Sequence, residues 1–332
     1  MSRPDAHSDI DVLNAASRIR HDADPSVAIC YPSPDRVDKV ARPLRAAGVD
    51  VTIEPADAHS RDVIVMDTPG ARMIDPLLRA DDDTAVVWRL RGNTWRASRY
   101  WRLGALKSAV STRWLFPRLD GAVPAGSHLA SEFQARTQTT ATDAIGLPID
   151  PDAWPEPDHT DETLRLVTLT NADYRGKVDP IVERVGLVND LLAKTGGEWL
   201  IGGDGRFEDA LADACRDATH VRYGGFIDAE AALADANVLF HPSEFDIQVP
   251  NAVLEGMASG LPVVATPFPP FVDHRRIRTP RSDGELVELL RGLVDPGLRA
   301  AEGERNVAYA RDAHDPETLG EQYRRFFAEV TR

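Results

Sequence analysis

The chain has 332 residues, of which 42% are hydrophobic and 27% charged, and its formal net charge is −15. This length leaves room for two domains with sizeable cores, and the composition excludes disordered, collagen-like and low-complexity chains. So strong a negative charge argues against general nucleic-acid binding, which needs a positive field.

The start of the chain predicts no signal peptide, because its first 20 residues are polar and include Asp5, Asp9 and Asp11. No apolar run reaches the roughly 18 residues that a membrane helix needs. The two cysteines, Cys30 and Cys215, match no metal or redox spacing. We therefore expect reduced thiols and a cytoplasmic location. Asp outnumbers Glu by 36 to 17 and Arg outnumbers Lys by 34 to 4, which favours a halophilic source, with a GC-rich genome as the alternative explanation.

The first half of the chain alternates strand and helix patterns, which is typical of a parallel sheet with crossover helices. The predicted strands are residues 27–31, 49–53, 62–66, 85–90 and 121–124, and the predicted helices are 37–47 and 71–79. An acidic run at residues 81–83 is predicted to be a solvated loop and not a metal site, since three adjacent acids point in different directions.

A basic, aromatic window spans residues 88–118, with eight cations, no Asp or Glu, four tryptophans and one tyrosine. The rest of the chain has 30 basic and 53 acidic residues, a net charge of −23. We expect this window to meet an anionic partner, because arginine binds phosphate and aromatic rings suit a lipid headgroup zone. The alternative is a core of aromatic rings with solvated arginines. The candidate acceptor or membrane residues are Arg89, Arg91, Gly92, Arg96, Arg99, Trp101 and Arg102.

Residues 147–158 contain four prolines and four acids and predict a linker between two Rossmann-like domains. The second half again alternates, with a final helix at 316–330. Its predicted strands are 164–168, 198–201, 220–223, 237–241 and 262–266, and its other predicted helices are 180–194, 207–217, 229–236 and 251–259. We place the domains at 1–150 and 163–315, with 316–332 returning to the first domain.

The segment from His241 to Thr266 reads as strand, loop, short helix, turn and strand. Asn251 is a candidate N-cap and Gly260 a candidate stop, so the loop and the helix N-terminus lie where open α/β sheets bind ligands. Free amides there favour a phosphate, and Glu255 could accept hydrogen bonds from a ribose diol. The alternative is that Glu255 is a solvated helix residue. His241 is expected to end the strand and not to act as a base.

This segment resembles the signature of glycosyltransferase family 4, the retaining nucleotide-sugar transferases of GT-B fold. Residues 242–243 are Pro-Ser, Asp246 follows after two residues, and residues 255–264 read Glu-Gly-Met-Ala-Ser-Gly-Leu-Pro-Val-Val. The family usually has Glu in place of Asp246 and seven residues before the second Glu. Here eight intervene, and a strict count back from Glu255 reaches Ile247. Glu244 is the next candidate if Asp246 does not serve.

The resemblance continues through residues 168–177, where Lys177 matches a phosphate-binding lysine and Arg175 substitutes for an arginine of the family. A helix is expected to begin near Asp179. Residues 221–226 resemble the strand end near the nucleotide base. The resemblance therefore implies catalytic roles for Asp246, near the sugar, and for Glu255. The implied donor-binding residues are Lys177, Arg175, Gly225, Phe226, Pro250, Asn251, Ala252 and Glu255.

The resemblance implies an α/β, GT-B enzyme whose N-terminal domain binds the acceptor and whose C-terminal domain binds the donor across a cleft. It implies transfer of a sugar with retention of configuration, without metal or cofactor. The basic window leads us to expect a lipid-linked or polysaccharide acceptor and peripheral contact with the anionic inner face of the membrane, with no nucleic acid as partner. The alternatives are a sugar-nucleotide epimerase and an inactive nucleotide-sugar-binding protein. The nucleotide base, sugar, acceptor and oligomeric state do not follow from the sequence.

Overall fold

The computed structural model describes residues 25–30, 37–54, 57–66, 74–90, 104–137, 141–160, 162–246, 248–269 and 271–331. These residues form two six-stranded parallel sheets, each covered by helices. Helices on both faces explain why the strands are apolar runs without alternation, as in β4, where all six residues are buried.

The N-terminal sheet has the order β2-β1-β3-β4-β5-β6. Its strands are β1 Val27–Cys30, β2 Val51–Ile53, β3 Val63–Met66, β4 Ala85–Leu90, β5 Gly121–Pro124 and β6 Ala141–Thr142. The helices of this half are α1 Asp38–Ala46, α2 Ile74–Arg79, α3 Gly104–Val110 and α4 Ser127–Thr137. After α3 the chain continues through a π-helical turn, Ser111–Leu115, and a short 3-10 turn, Phe116–Arg118. The brief β6 has no counterpart among the predicted strands.

The C-terminal sheet has the order β12-β11-β10-β7-β8-β9. Its strands are β7 Leu164–Leu169, β8 Gly197–Gly202, β9 Val221–Tyr223, β10 Val238–His241, β11 Val263–Ala265 and β12 Ile277–Arg278. Its helices are α5 Arg175–Thr195, α6 Glu208–Cys215, α7 Ala229–Asp235, α8 Asn251–Ala258, α9 Asp283–Gly292 and α10 Pro296–Ala313. Counted from β7, the order is 3-2-1-4-5-6, so the direction of winding reverses between β7 and β10. A crevice opens at the carboxyl ends of two such strands.

The last helix, α11 Pro316–Val330, leaves the C-terminal half and packs on α1. Its buried Tyr323, Phe326 and Phe327 share a core with β1 and β3. Gly320 permits the close approach, because a Cβ there would lie 2.1 Å from the carbonyl oxygen of Pro43. The predicted return of this helix to the N-terminal domain is therefore confirmed.

Two stretches of chain cross between the halves, and buried His314 ties them together. Its Nδ1 lies 2.7 Å from the carbonyl oxygen of Leu147, and its own carbonyl accepts from the amide of Ile149 at 3.0 Å. Burial lowers the pKa of His314, although the hydrogen bond to Leu147 opposes this shift. The predicted linker thus contains a fixed anchor at residues 147–149. Within the described part of the chain, no helix has the length and apolar character needed to cross a membrane.

Candidate functional site

The crevice between β7 and β10 holds a cation next to a carboxylate. Lys177 lies in the first turn of the helix that follows β7, and Asp246 lies in the loop that follows β10. Their side chains meet with 2.9 Å between Nζ and Oδ1 and are only 15% and 9% exposed. Because parallel strands present their carboxyl ends at one edge, two residues 69 positions apart in sequence become neighbours.

The second oxygen of Asp246 is also occupied. Its Oδ2 accepts from Ser243 Oγ at 2.6 Å and from His241 Nε2 at 3.0 Å. Burial would raise the pKa of Asp246, but the Lys177 ammonium and the two hydrogen bonds outweigh it and hold the pKa well below its usual range. Asp246 therefore remains an anion at every physiological pH.

His241 ends β10 as predicted and is 3% exposed. Since an ionised carboxylate only accepts hydrogen bonds, the Nε2 facing Asp246 carries a hydrogen. The Nδ1 of His241 is buried and has no hydrogen-bond partner among the described residues. Sequence reasoning did not assign His241 or Ser243 to the site, because their role depends on the turn that brings Asp246 back over the end of β10.

The helix that carries Lys177 begins at Arg175, five residues before Pro180, and not near Asp179 as predicted. Pro180 has no N–H to bond the carbonyl of Gly176, four residues earlier. The amide of Glu244 donates to that carbonyl instead, at 2.8 Å. The proline thus leaves an acceptor that fastens the Asp246 loop to the helix.

Helix α8 begins at Asn251, shortly after the Asp246 loop and therefore at the same carboxyl edge of the sheet. Its N-cap is Pro250, without a side-chain cap, which corrects the prediction that Asn251 is the cap. Amides in a first helical turn have no intrahelical acceptor, so those of Asn251 and Ala252 favour an anion. At the other end, Gly260 adopts a φ of 78° after the C-cap, as predicted.

Glu255 lies on the second turn of α8 and is half-buried. Burial raises its pKa, and the positive charge of Lys39 on α1 opposes that rise. Lys39 belongs to the N-terminal half, so Glu255 faces the space between the two sheets. A second approach of the halves lies nearby, since a Cβ on Gly126 would stand 3.6 Å from Cβ of Gln248. Nothing local in the sequence indicates Lys39, whose place depends on how the domains meet.

Arg175, Gly225 and Phe226 lie farther along the same edge of the sheet. Arg175 is 57% exposed, pairs with Asp179 at 3.2 Å and covers the ring of Phe207 at 4.6 Å. The structure therefore does not place Arg175 in the network around Lys177 and Asp246. Gly225 adopts a φ of 66° after β9, and the ring of Phe226 beside it is 82% exposed.

The predicted acceptor surface is only partly described. Arg91, Gly92, Arg96, Arg99, Trp101 and Arg102 lie outside the described residues, as does Ile247. Arg89 is 1% exposed, and its guanidinium donates to three carbonyls. The acceptors are Val123 at 3.0 Å, Ile145 at 2.9 Å and Gly146 at 2.9 Å. The prediction that Arg89 faces an acceptor is therefore wrong, because both faces of β4 are covered.

The described part of the window presents an apolar patch. Leu106 and Val110, one helical turn apart on α3, are 60% and 53% exposed. Arg113 and Arg118 follow as exposed cations, and Arg118 covers the ring of Trp114 at 4.5 Å. Among the described residues, no group of three or more His, Cys, Asp or Glu side chains could hold a metal ion.

Comparison with known proteins adds two lines of evidence. Residues 166–294 match the family model described as glycosyl transferases group 1. The ORF31 protein of a virus (isolate Australia/Victoria), a glycosyltransferase by name, is 33% identical over 312 residues, which cover 92% of this chain and 98% of that protein.

Solved structures show the same architecture at low sequence identity. HepE of Anabaena, crystallised with UDP, is 14% identical, with a TM-score of 0.67 over 92% of this chain and all of HepE. A glycosyltransferase from Rickettsia africae is 9% identical, with a TM-score of 0.67 over 92% of this chain and 98% of that one. TarM of S. aureus is 14% identical, with a TM-score of 0.65 over 80% of this chain. The match covers only 54% of TarM, so this chain spans about half the length of that protein. These likenesses confirm the predicted α/β, GT-B fold.

Proposed function

Because this chain belongs to the group 1 glycosyltransferase family, we propose that it transfers a sugar from a nucleotide-sugar donor to an acceptor, with retention of configuration. The observation that carries the proposal is the ion pair of Lys177 with Asp246, which lies in the loop leading to the uncapped N-terminus of α8, at the point where the C-terminal sheet reverses its winding. Cation and free amides together suit a diphosphate. Retention, and membership of family 4, rest on the resemblance of residues 242–264 to that family's signature.

We assign each part of the donor to a part of the crevice. Lys177 and the amides of Asn251 and Ala252 hold the diphosphate. Glu255, at the face between the domains, accepts hydrogen bonds from the ribose. The exposed ring of Phe226 offers a stacking surface for the base. HepE has been crystallised with UDP and UDP-glucose, which supports a nucleoside diphosphate as the shared part of the ligand.

Departure of the nucleoside diphosphate is the demanding step, because negative charge develops on the leaving phosphate. The Lys177 ammonium and the helix N-terminus stabilise that charge. We propose that an acceptor hydroxyl attacks from the face that the diphosphate leaves: the new bond to the sugar forms as the bond to the phosphate oxygen breaks, and that oxygen takes the hydroxyl proton, so that no protein nucleophile and no metal takes part. His241 is not the base in this scheme, since its ring is 3% exposed and its Nδ1, unpartnered among the described residues, is buried, away from any acceptor.

Titration calorimetry with UDP, GDP and ADP, followed by turnover of the matching nucleotide sugars, tests the donor site. We expect one nucleotide to bind and Glu255→Ala to weaken that binding by about tenfold, the cost of losing hydrogen bonds to a charged group. Glu288→Ala, at an exposed acid on α9 of the same domain, is the control and should change nothing. Normal binding and turnover by Glu255→Ala would contradict the assignment.

The same assay separates the alternatives. Release of nucleoside diphosphate that depends on an added glycolipid or polysaccharide extract is the expected result. Conversion of the nucleotide sugar without any acceptor would indicate the epimerase, and tight binding without any conversion would indicate an inactive binding protein.

For the acceptor we propose a lipid-linked glycan or polysaccharide precursor at the inner face of the cell membrane. The acid-free window at residues 88–118 supplies positive charge, and Leu106 and Val110 supply exposed apolar side chains beside it. The positive charge attracts anionic headgroups, and the apolar side chains insert among the lipids. Because salt screens the electrostatic attraction, the apolar contribution matters more in a cytoplasm rich in salt.

Flotation with anionic liposomes tests this surface. We expect Leu106→Glu with Val110→Glu to abolish flotation and transfer to a lipid acceptor, while nucleotide binding in the other domain persists. Leu78→Glu, at a 69% exposed leucine on α2, is the matched control. Reversal of Arg96, Arg99 and Arg102 to Glu should have the same effect through charge. If the unaltered protein neither floats nor uses a lipid-linked acceptor at working salt, the membrane proposal is wrong.

A further inference from the structure

Asp246 stands at the position where the family resemblance places a group that works on the sugar, yet both of its oxygens already have partners within the protein. One carboxylate oxygen pairs with Lys177, and the other accepts from His241 and Ser243. These partners occupy three of the about four acceptor positions of a carboxylate, and the group is only 9% exposed, so a sugar hydroxyl would have to compete with Lys177 for Oδ1. Such an exchange would cost a charge-assisted hydrogen bond.

The partners of Asp246 are themselves fixed. Ser243 receives its orientation from Thr266 on the neighbouring strand end, whose Oγ1 accepts from the Ser243 amide at 2.9 Å and donates to its carbonyl at 2.6 Å. The ring of Phe271 stands edge-on to His241, with 5.6 Å between centroids. Residues at the ends of β10 and β11 therefore fix the Oδ2 side of the carboxylate. Its Oδ1 side, which contacts Lys177, is the side at the crevice.

The loop that carries Asp246 is also fastened to the helix that carries Lys177. Phe245 stacks on Tyr174 with 4.3 Å between ring centroids, and the Glu244 amide donates to the Gly176 carbonyl that Pro180 leaves open. A Cβ on Gly176 would lie 3.3 Å from Cβ of Phe245, so the backbones run close together. These contacts join the loop to the helix, so both segments set the geometry of the ion pair.

We propose that Asp246 is a positioning residue that aims the Lys177 ammonium at the donor diphosphate, with His241 and Ser243 as its supports, and that it does not contact the transferred sugar. This replaces the prediction that Asp246 acts on the sugar itself. The proposal rests on the proposed function for the identity of the diphosphate, but not for the ion pair.

The first test needs no nucleotide. The chain has only four lysines, Lys39, Lys107, Lys177 and Lys194, so reductive methylation can be followed residue by residue with mass spectrometry. We expect Asp246→Asn to raise the labelling rate of Lys177 alone, because the amide no longer holds the ammonium. His241→Gln should also raise the labelling rate of Lys177, but by less. This variant replaces Asp246→Asn in the test if Asp246→Asn does not fold. Asp179→Asn, at an exposed acid on the same helix, is the control.

The second test uses the donor. We expect Asp246→Asn and Lys177→Met each to weaken UDP binding by about tenfold, and the double variant to be no weaker than either, because both changes remove one interaction. Uridine, which lacks phosphate, should bind all variants equally. The relative turnover of different UDP-sugars should stay as in the unaltered protein, and Asp246→Glu should restore part of the UDP affinity.

Two results would overturn the proposal. One is a Lys177 labelling rate that Asp246→Asn and His241→Gln both leave unchanged. The other is an Asp246→Asn variant that binds UDP normally but changes its preference among donor sugars. A protein that binds no nucleotide at all would contradict the proposed function instead, and the labelling test would still decide the role of Asp246.

Discussion

Replacement of Lys177 by Met is expected to lower kcat/KM for the nucleotide-sugar donor by about 10²–10³, the loss seen when one group that stabilises developing negative charge is removed. Lys177 is 15% exposed and stands at the crevice between β7 and β10, where its charge acts in a water-poor setting. Met keeps most of the side-chain volume, and His241 and Ser243 still hold Asp246. The variant should therefore fold, although with reduced stability.

Lys194→Met is the matched control, because Lys194 is an exposed residue in the last turn of the same helix. Steady-state kinetics on both variants, with circular dichroism to verify folding, make the comparison. We expect only Lys177→Met to lose donor turnover and UDP affinity. Equal activity in the two variants would contradict the proposal that the donor diphosphate binds at Lys177.

Replacement of Arg89 by Leu is expected to lower the free energy of unfolding by about 3–5 kcal/mol, since two buried carbonyls and one half-buried carbonyl would lose their donors and each unsatisfied buried group costs about 1–3 kcal/mol. Those carbonyls belong to Val123, Ile145 and Gly146, so Arg89 joins β4 and β5 to the start of the linker. Its guanidinium also lies 5.7 Å from the ring centre of Tyr323 on the last helix.

Urea denaturation measures this effect, with Arg79→Leu as the control. Arg79 is an exposed arginine that pairs with Asp75 at 2.9 Å, and such surface pairs contribute about 0.5 kcal/mol or less. UDP affinity should survive in Arg89→Leu under folding conditions, because the donor site lies in the other domain. An Arg89→Leu variant of normal stability that fails only in acceptor transfer would instead support the original expectation for Arg89.

The local sequence around Arg89 does not distinguish an arginine at the surface from one that is buried for structural reasons. Alternation along residues 87–91 places Trp88 in the core and Arg89 outside it, if one face of the strand is open. In this sheet both faces are covered, and buried carbonyls turned towards β4 make a place for a guanidinium. The local pattern is the same in both cases, so only the packing decides between a surface arginine and a structural one.

The sequence by itself determined most strands, the division into two α/β halves and the segment that carries Glu255, because hydrophobic runs, caps and signature residues are local properties. Lys177 was likewise visible as a cation between a strand and a helix. The start of that helix could not be predicted from the sequence, since a proline at position 180 locally favours a start near Asp179 and not at Arg175. The missing N–H of Pro180 is compensated by Glu244, a residue 64 positions away in sequence that bonds the freed carbonyl.

Only the tertiary structure decided what surrounds these residues. The order of the C-terminal strands places the ends of β7 and β10 side by side, and this makes Lys177 and Asp246 an ion pair supported by His241 and Ser243. The way in which the two halves meet brings the charge of Lys39 on α1 within electrostatic reach of Glu255. Such pairings depend on distances between segments that are far apart in the chain, and the spacing of residues in the sequence does not give these distances. Strand order and burial determine the pairings once the two sheets have formed.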